Sequence, residues 1–293
     1  MGDQIIRTEV SAEQLASFTR EDEFMSVFVD LMVEAASWVV IAANATDASG
    51  KWSRDQAAVG GNIVRLSKLL HAVLDQTCQR RGEIAFIMSR LTFETIVNIR
   101  FLIREFNPDL IRSYIRYSLR HERRLHERIM ANISDRGDVR LPIEERMLKS
   151  IDRSFAASGI TLAEIDLQDR KPWGGKNIRE KCEVLDLDMA YLAMFGGGSH
   201  GVHGNWQELY GNHLEWDGAD GFTPAVDWKY PRPQILSALS LYSIDAVEDF
   251  LNFLDGADDA SKQLPELADL RARILLTDRA HEKYLQTKQW PRI

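Results

Sequence analysis

Glu83-Ile-Ala-Phe-Ile-Met-Ser-Arg90-Leu-Thr-Phe-Glu94-Thr-Ile-Val-Asn98-Ile-Arg100-Phe-Leu-Ile-Arg-Glu-Phe106 is the strongest helical stretch of the chain, and it decides the fold class. It is dense in Ile, Phe and Leu and contains neither Gly nor Pro, so it reads as a central helix that stops only at Asn107-Pro108. Working towards the N-terminus, Ile63, Val64, Leu66, Leu69, Leu70, Val73 and Leu74 follow a helical stripe from Asn62 that ends near Arg80-Arg81-Gly82. Before it lie a loop, Asp47 to Gly61, an apolar helix, Phe24 to Asn44, and a short helix after Ser11, whose spacing to Gln14 resembles a capping box. Towards the C-terminus, Asp109 to Ile133 reads as one long helix crowded with arginine. Ser134 to Gly175 holds two short helical pieces and a polar linker, Gln168 to Gly175. Helix resumes over Lys176 to Phe195, over Gln234 to Leu254 behind Pro231 and Pro233, and over Pro265 to Gln286. Only Ala225 to Lys229 looks extended. The expectation is an all-α protein, a multi-helix bundle of about eight to ten helices with one glycine-rich irregular segment. It forms a single helical domain over residues 1–293, divisible into 1–135, a connecting 136–175 and 176–293.

Breakers are scarce and concentrated. The 293 residues include 8 prolines, about half the usual frequency of roughly 5%. Of the 18 glycines, 8 fall between Gly196 and Gly221, which marks that window for irregular backbone. With 45% hydrophobic and 27% charged residues the chain has the composition of an ordinary globular protein, and its net charge of −8 argues against a general coating of nucleic acid. Cys78 and Cys182 are too few for a disulfide framework or a zinc knuckle, and a reducing cytoplasm is expected. Met1-Gly2-Asp3-Gln4 lacks the features of a signal peptide, and the apolar stretch Met25 to Ala45 carries Asp30 and Glu34, so no membrane span is expected.

Several strings match motifs without their context. Gly197-Gly198-Ser199-His200-Gly201 satisfies G-x-S-x-G, and Gly196, Gly198 and Gly201 satisfy G-x-G-x-x-G, but both need a preceding strand that is missing here. His121 and His126 lie about 140° apart on a helix, too far round to share a metal. His200 and His203 could meet on one face, yet glycine-flanked histidines more often hydrogen-bond backbone, so neither a metal nor a cofactor is expected. Arg112, Arg116, Arg120, Arg124 and Arg128 form a ridge that either grips RNA phosphates or, the favoured reading in an acidic chain, pairs with Glu122, Glu127 or acidic residues elsewhere.

Arg90 and Glu94 stand one helical turn apart in apolar surroundings, where burial is costly unless they pair or meet a ligand. With Tyr191 and with Ser199 to Gly204, ending Val202-His203-Gly204, this run resembles the bacterial family called domain of unknown function 5677, over about Ala57 to Gly204. Members look like helical proteins with an Arg-x3-Glu helix followed downstream by a serine and a histidine-glycine pair. The resemblance therefore implies Arg90, Glu94, Ser199 and His203 as matching positions and implies no activity. The triple glycine, Gly196 to Gly198, and the extra His200 depart from the continuous helix expected before that serine. A weaker similarity to HEPN-type helical ribonucleases lies in the Arg-x4–6-His spacings Arg116 to His121, Arg120 to His126 and Arg65 to His71.

Two functions follow as expectations. One is HEPN-like, metal-independent RNA cleavage or phosphate binding of a defence or toxin type. In it Arg90, Glu94 and His203 are catalytic, Ser199, His200, Asn98, Arg116 and Arg120 bind substrate, and RNA lies along Arg112 to Arg128. The other is a non-catalytic helical module that binds a protein partner, a second copy or a small ligand through the glycine window, with Arg90, Glu94 and His203 as a structural polar network. Trp206, Trp216 and Trp228 are then interface anchors or core residues, the core reading being favoured for at least one. An open pocket at Arg90, Glu94 and His203 favours the first, and a sealed cluster the second.

Overall fold

The run around Arg90 folds as a helix because nothing inside it breaks one, and its faces meet different neighbours. In the computed structural model, which describes residues 5–46, 49–254 and 260–288, it is the fourth helix of an all-α bundle. The order is α1 (Ala12–Ala16), α2 (Glu21–Asn44), α3 (Arg54–Cys78), α4 (Gly82–Arg104), α5 (Pro108–Ser118), α6 (Arg120–Asp135) and α7 (Pro142–Ser158). Short helices α8 (Ile178–Val184), α9 (Asp188–Ala190), α10 (Gly197–His203) and α11 (Trp206–Glu208) lead to a hairpin of β1 (Leu214–Trp216) and β2 (Phe222–Pro224), with Glu215 opposite Thr223. The long helices α12 (Pro233–Phe253) and α13 (Ala260–Thr287) close the chain.

Helices α2, α3, α4 and α12 pack on one another around Phe28, Leu31, Ile63, Leu66, Phe93 and Phe250, all fully buried. Each such side chain removed from water contributes about 1.5–3 kcal/mol before chain entropy is subtracted. Helix α2 is long and apolar enough to cross a membrane, but half of its apolar window is buried inside this bundle. Its Glu34 is paired bidentately with Arg273 of α13, at 2.7 Å on both oxygens. A second apolar cluster, built on Leu119, Ile129, Ile133, Leu148, Ile151 and Phe155, joins α6 to α7 apart from the main core.

Several local expectations are corrected. Helix α3 starts within the predicted loop, at Arg54, because Ser53 and Gln56 form a reciprocal capping box at 3.2 and 2.8 Å. Asp47 and Ala48 lie outside the described residues. The long arginine helix divides at Leu119 into α5 and α6, where the Ser118 hydroxyl donates to the Tyr114 carbonyl at 2.9 Å, a back-bond that bends helices. Ser134 to Gly175 contains the 17-residue α7 as well as two short 3-10 turns, Leu162–Glu164 and Trp173–Gly175, the second inside the stretch expected to be a linker. The polar linker is pinned, since Trp173 is buried edge-on against Phe101 and Tyr114 and the Ser113 hydroxyl accepts the Gly174 N–H.

Lys176 to Phe195 is not one helix. Asp186 takes a left-handed φ of 58° after α8, with Leu187 N–H bonded to Cys182 O at 2.9 Å and Asp186 N–H to Glu183 O at 3.3 Å. This is a Schellman cap with aspartate where glycine is usual. The extended segment is not Ala225 to Lys229 but the hairpin just before it.

Candidate functional site

The first part of the glycine window, up to His203, is helical, and the irregular backbone expected of it follows. A π-helical segment, Tyr191–Gly196, runs straight into α10, and the glycines are there because α10 lies directly on α4. A methyl group on Gly198 would sit 2.7 Å from the Arg90 Cβ, and one on Gly201 would sit 3.1 Å from the Ile87 side chain. Irregular backbone begins only at Gly204, whose φ of 56° ends the helix.

This close approach seals Arg90. Its Nε donates to the Ser199 Oγ at 3.1 Å, its guanidinium lies 4.3 Å from the centre of the Phe195 ring, and Nη1 is 3.9 Å from the Glu94 carboxylate. The Ser199 hydroxyl in turn donates to the Phe195 carbonyl at 2.7 Å, so it is engaged as both donor and acceptor. Tyr191 stacks on Phe195 at 5.3 Å. The Arg90 side chain is left 14% exposed.

His203 does not join this group. Gly198 lies against Arg90 and Gly201 against Ile87, so α10 and α4 run antiparallel. From the Arg90–Ser199 contact, Glu94 is one turn along α4 in one direction and His203 one turn along α10 in the other, each about 5.4 Å away by helical pitch. His203 is exposed, and its side chain has no hydrogen bond or ion pair among the described residues. The polar network is therefore Arg90, Glu94 and Ser199, and His203 does not close it. Asn98 is half-buried one turn beyond Glu94.

A residue the sequence reading missed completes this face. Lys181 of α8 is buried with its Nζ 3.1 Å from the centre of the Trp173 ring and 5.6 Å from that of Phe101. Burial pushes its amine down to about 7, against the pull of the Glu94 carboxylate. No motif signals it, because the aromatic box is assembled from α4 and from a segment read as linker.

Arg116 and Arg120 lie elsewhere, in a separate concavity of about 340 Å³. Arg112 is ion-paired with Glu164. Arg116 donates to the Glu164 carbonyl at 2.6 Å, and Arg120 bonds the Asp169 carboxylate at 3.0 Å and the Lys171 carbonyl at 3.2 Å. The front of the arginine ridge thus ties residues 164–171 to α5 and α6.

The large cleft, about 1100 Å³, opens between the first turn of α4, α10–α11 and the segment leading into α12. Gly82 N–H donates to the Lys229 carbonyl at 2.9 Å, and Lys229 N–H donates to Glu83 Oε1 at 3.0 Å. Gly82 needs to be glycine, since a Cβ would run into that carbonyl. Glu83 is only 7% exposed, and its Oε2 is buried with no hydrogen-bond partner among the described residues. The Gln234 Oε1, also in this wall, is likewise unpartnered. Glu208, buried opposite, has His213 Nε2 at 3.5 Å. His200 faces the cleft with its Nδ1 against the Asn205 amide.

Phe86, Met194 and Tyr242 supply apolar wall, and Lys229, Tyr230 and Arg232 stand exposed at the mouth. Trp206, Trp216 and Trp228 are all at least half exposed, so none is a core residue. Among the described residues no group of three or more His, Cys, Asp or Glu side chains is placed to hold a metal ion. A family described as being of unknown function (DUF5677) matches residues 56–222, a span that contains Glu83, Arg90 and Glu208 but stops short of Lys229 and Gln234. No curated protein and no solved structure matches the chain.

Proposed function

Because the chain belongs to the family of unknown function DUF5677, which carries no activity over to it, we propose from its geometry that it is a non-catalytic helical module taking a small ligand in the cleft beside the glycine window. One observation carries this: Glu83 Oε2 is buried without a partner at the wall of a large cleft. An unsatisfied buried polar atom costs about 1–3 kcal/mol, and more when charged, and most native buried polar groups avoid that cost. A ligand that donates a hydrogen bond to Glu83 removes it.

Arg90, Glu94 and Ser199 then act as a packing network. RNA cleavage would ask the Arg90 guanidinium to meet a phosphodiester, and its engagement by Ser199, the Phe195 ring and Glu94 favours the module. The engagement of Arg112, Arg116 and Arg120 with residues 164–171 favours a structural role for that ridge as well.

The test is a thermal-shift screen of small molecules against the wild type and against Ala238→Trp, which fills the cleft wall. Compounds that raise the melting temperature of the wild type and not of the filled variant are the expected result. A screen without such compounds overturns the reading, as does RNA cleavage by the wild type that His203→Ala abolishes.

A further inference from the structure

The cleft is polarised, and its polarity points to the chemistry of what fills it. At its inner wall the fixed groups are carboxylates, Glu83 and Glu208, both more than nine-tenths buried. Glu83 Oε1 already accepts the Lys229 N–H, while Oε2 accepts nothing from the described residues. Gln234 adds an amide that offers its carbonyl in one orientation and its NH₂ in the flipped one, so discrimination falls to the carboxylates. Two buried carboxylates in a low-dielectric wall repel an anion and attract a donor-rich or cationic group.

The mouth has the opposite sign. Lys229 and Arg232 are exposed there, and neither has an ion-pair partner among the described residues. The backbone hydrogen bond from Lys229 to Glu83 fixes the two polarities against each other in one wall. Between them Phe86, Met194 and Tyr242 offer a surface for an apolar or flat body. A volume of about 1100 Å³ admits a molecule of nucleotide size.

Resting on the ligand-binding reading above, we infer that the ligand is a bipolar small molecule. An amino or amidine-type group at one end donates to Glu83 Oε2 at the inner wall, and a phosphate or carboxylate at the other end meets Lys229 and Arg232 at the mouth. Two sources share this chemistry: a nucleotide whose base carries an exocyclic amine, and an aliphatic ω-amino acid.

Calorimetric titration of the full chain separates them. The panel is adenosine, guanosine and cytidine monophosphates, uridine monophosphate as the analogue lacking the exocyclic amine, adenosine as the analogue lacking the anion, and 6-aminohexanoate. At least one amine-bearing anion is expected to bind, about tenfold more weakly or worse to Glu83→Gln, as for loss of a charge-assisted bond. The Lys229→Ala/Arg232→Ala variant is expected to bind it no better than the wild type binds its uncharged counterpart. Glu83→Gln keeps the acceptor for Lys229 N–H, so its melting temperature should not fall, which separates lost recognition from lost folding.

Uridine monophosphate binding as tightly as the amine carriers, equal affinity for Glu83→Gln, or no binding by any panel member overturns the inference. A ligand of other chemistry that binds the wild type but not Ala238→Trp overturns the inference and leaves the ligand-binding reading standing. A broad screen with no hit sensitive to Ala238→Trp overturns both.

Discussion

Arg90 carries the sequence signature of a catalytic group, yet its surroundings use nearly all of it for packing. The guanidinium is shared between the Ser199 hydroxyl, the Phe195 ring and the Glu94 carboxylate, and Gly198 is the residue that lets α10 come close enough. Gly198→Ala is expected to cost about 1–3 kcal/mol by overpacking, read as a lower urea midpoint, because the Arg90 Cβ cannot move off its helix. An unchanged midpoint would show that the two helices are not in contact there.

Glu34 tells the complementary story, since its buried pair with Arg273 is bidentate and also accepts the Thr8 N–H. Glu34→Ala leaves Arg273 buried, with Asp269 as its one acidic partner among the described residues, and is expected to cost about 3–5 kcal/mol in the same measurement. Lys181 differs again. Its amine titrates near 7 when folded, against an ordinary value of 10.5, so the unfolded chain holds the proton over that interval. Stability should therefore rise with pH from about 7 towards 10, and Lys181→Met should remove that rise from the pH dependence of the melting temperature.

At the scale of elements, the errors of sequence reading fall at ends and bends. The body of α4 was legible because its apolar density allows nothing else. The end of α8 was not, because Asp186 takes a left-handed conformation that composition assigns to glycine or asparagine. Asp186→Gly should therefore stabilise the cap by up to about 1 kcal/mol, measured by thermal denaturation. The ion pair it gives up, with Arg104 at 3.8 Å, is exposed and contributes little. A fall in stability would mean that the cap depends on the aspartate side chain. Likewise Ser118 looks like any helical serine, yet the arginine ridge divides at the next residue, Leu119.

In the whole molecule, α13 closes the bundle by laying His281 against Phe24 and Tyr284 of the α2–α13 seam, with ring separations of 5.1 and 6.2 Å. The ring is fully buried and, among the described residues, neither nitrogen has a hydrogen-bond partner, although Glu21 lies 3.6 Å from Nε2. Burial pushes its pKa below the usual 6.5, against the pull of Glu21, Glu282 and Asp278. The folded protein thus prefers the neutral ring. The corresponding stability is complete above about pH 6.5 and is lost as pH falls through the lower folded value. Between pH 7 and pH 5 the denaturation midpoint should fall more steeply in the wild type than in His281→Phe. Parallel curves would show that the ring is not desolvated.

The helical class, the central place of Glu83 to Phe106 and the family were legible in the chain alone, as was the choice facing Arg90 and Glu94 between pairing and a ligand. All of these depend on residue type and spacing along one chain, which local sterics and apolar periodicity read directly. Tertiary structure was needed to show that the glycines serve helix contact, that the His203 side chain bonds to none of Arg90, Glu94 and Ser199, and that Lys181 is boxed by aromatic rings. It also decided that Glu83 and Gln234, 151 positions apart by their numbers, share one cleft wall. Those outcomes depend on which distant helices meet and in which direction, and the energy that selects them, apolar burial, is non-directional and leaves no spacing to read.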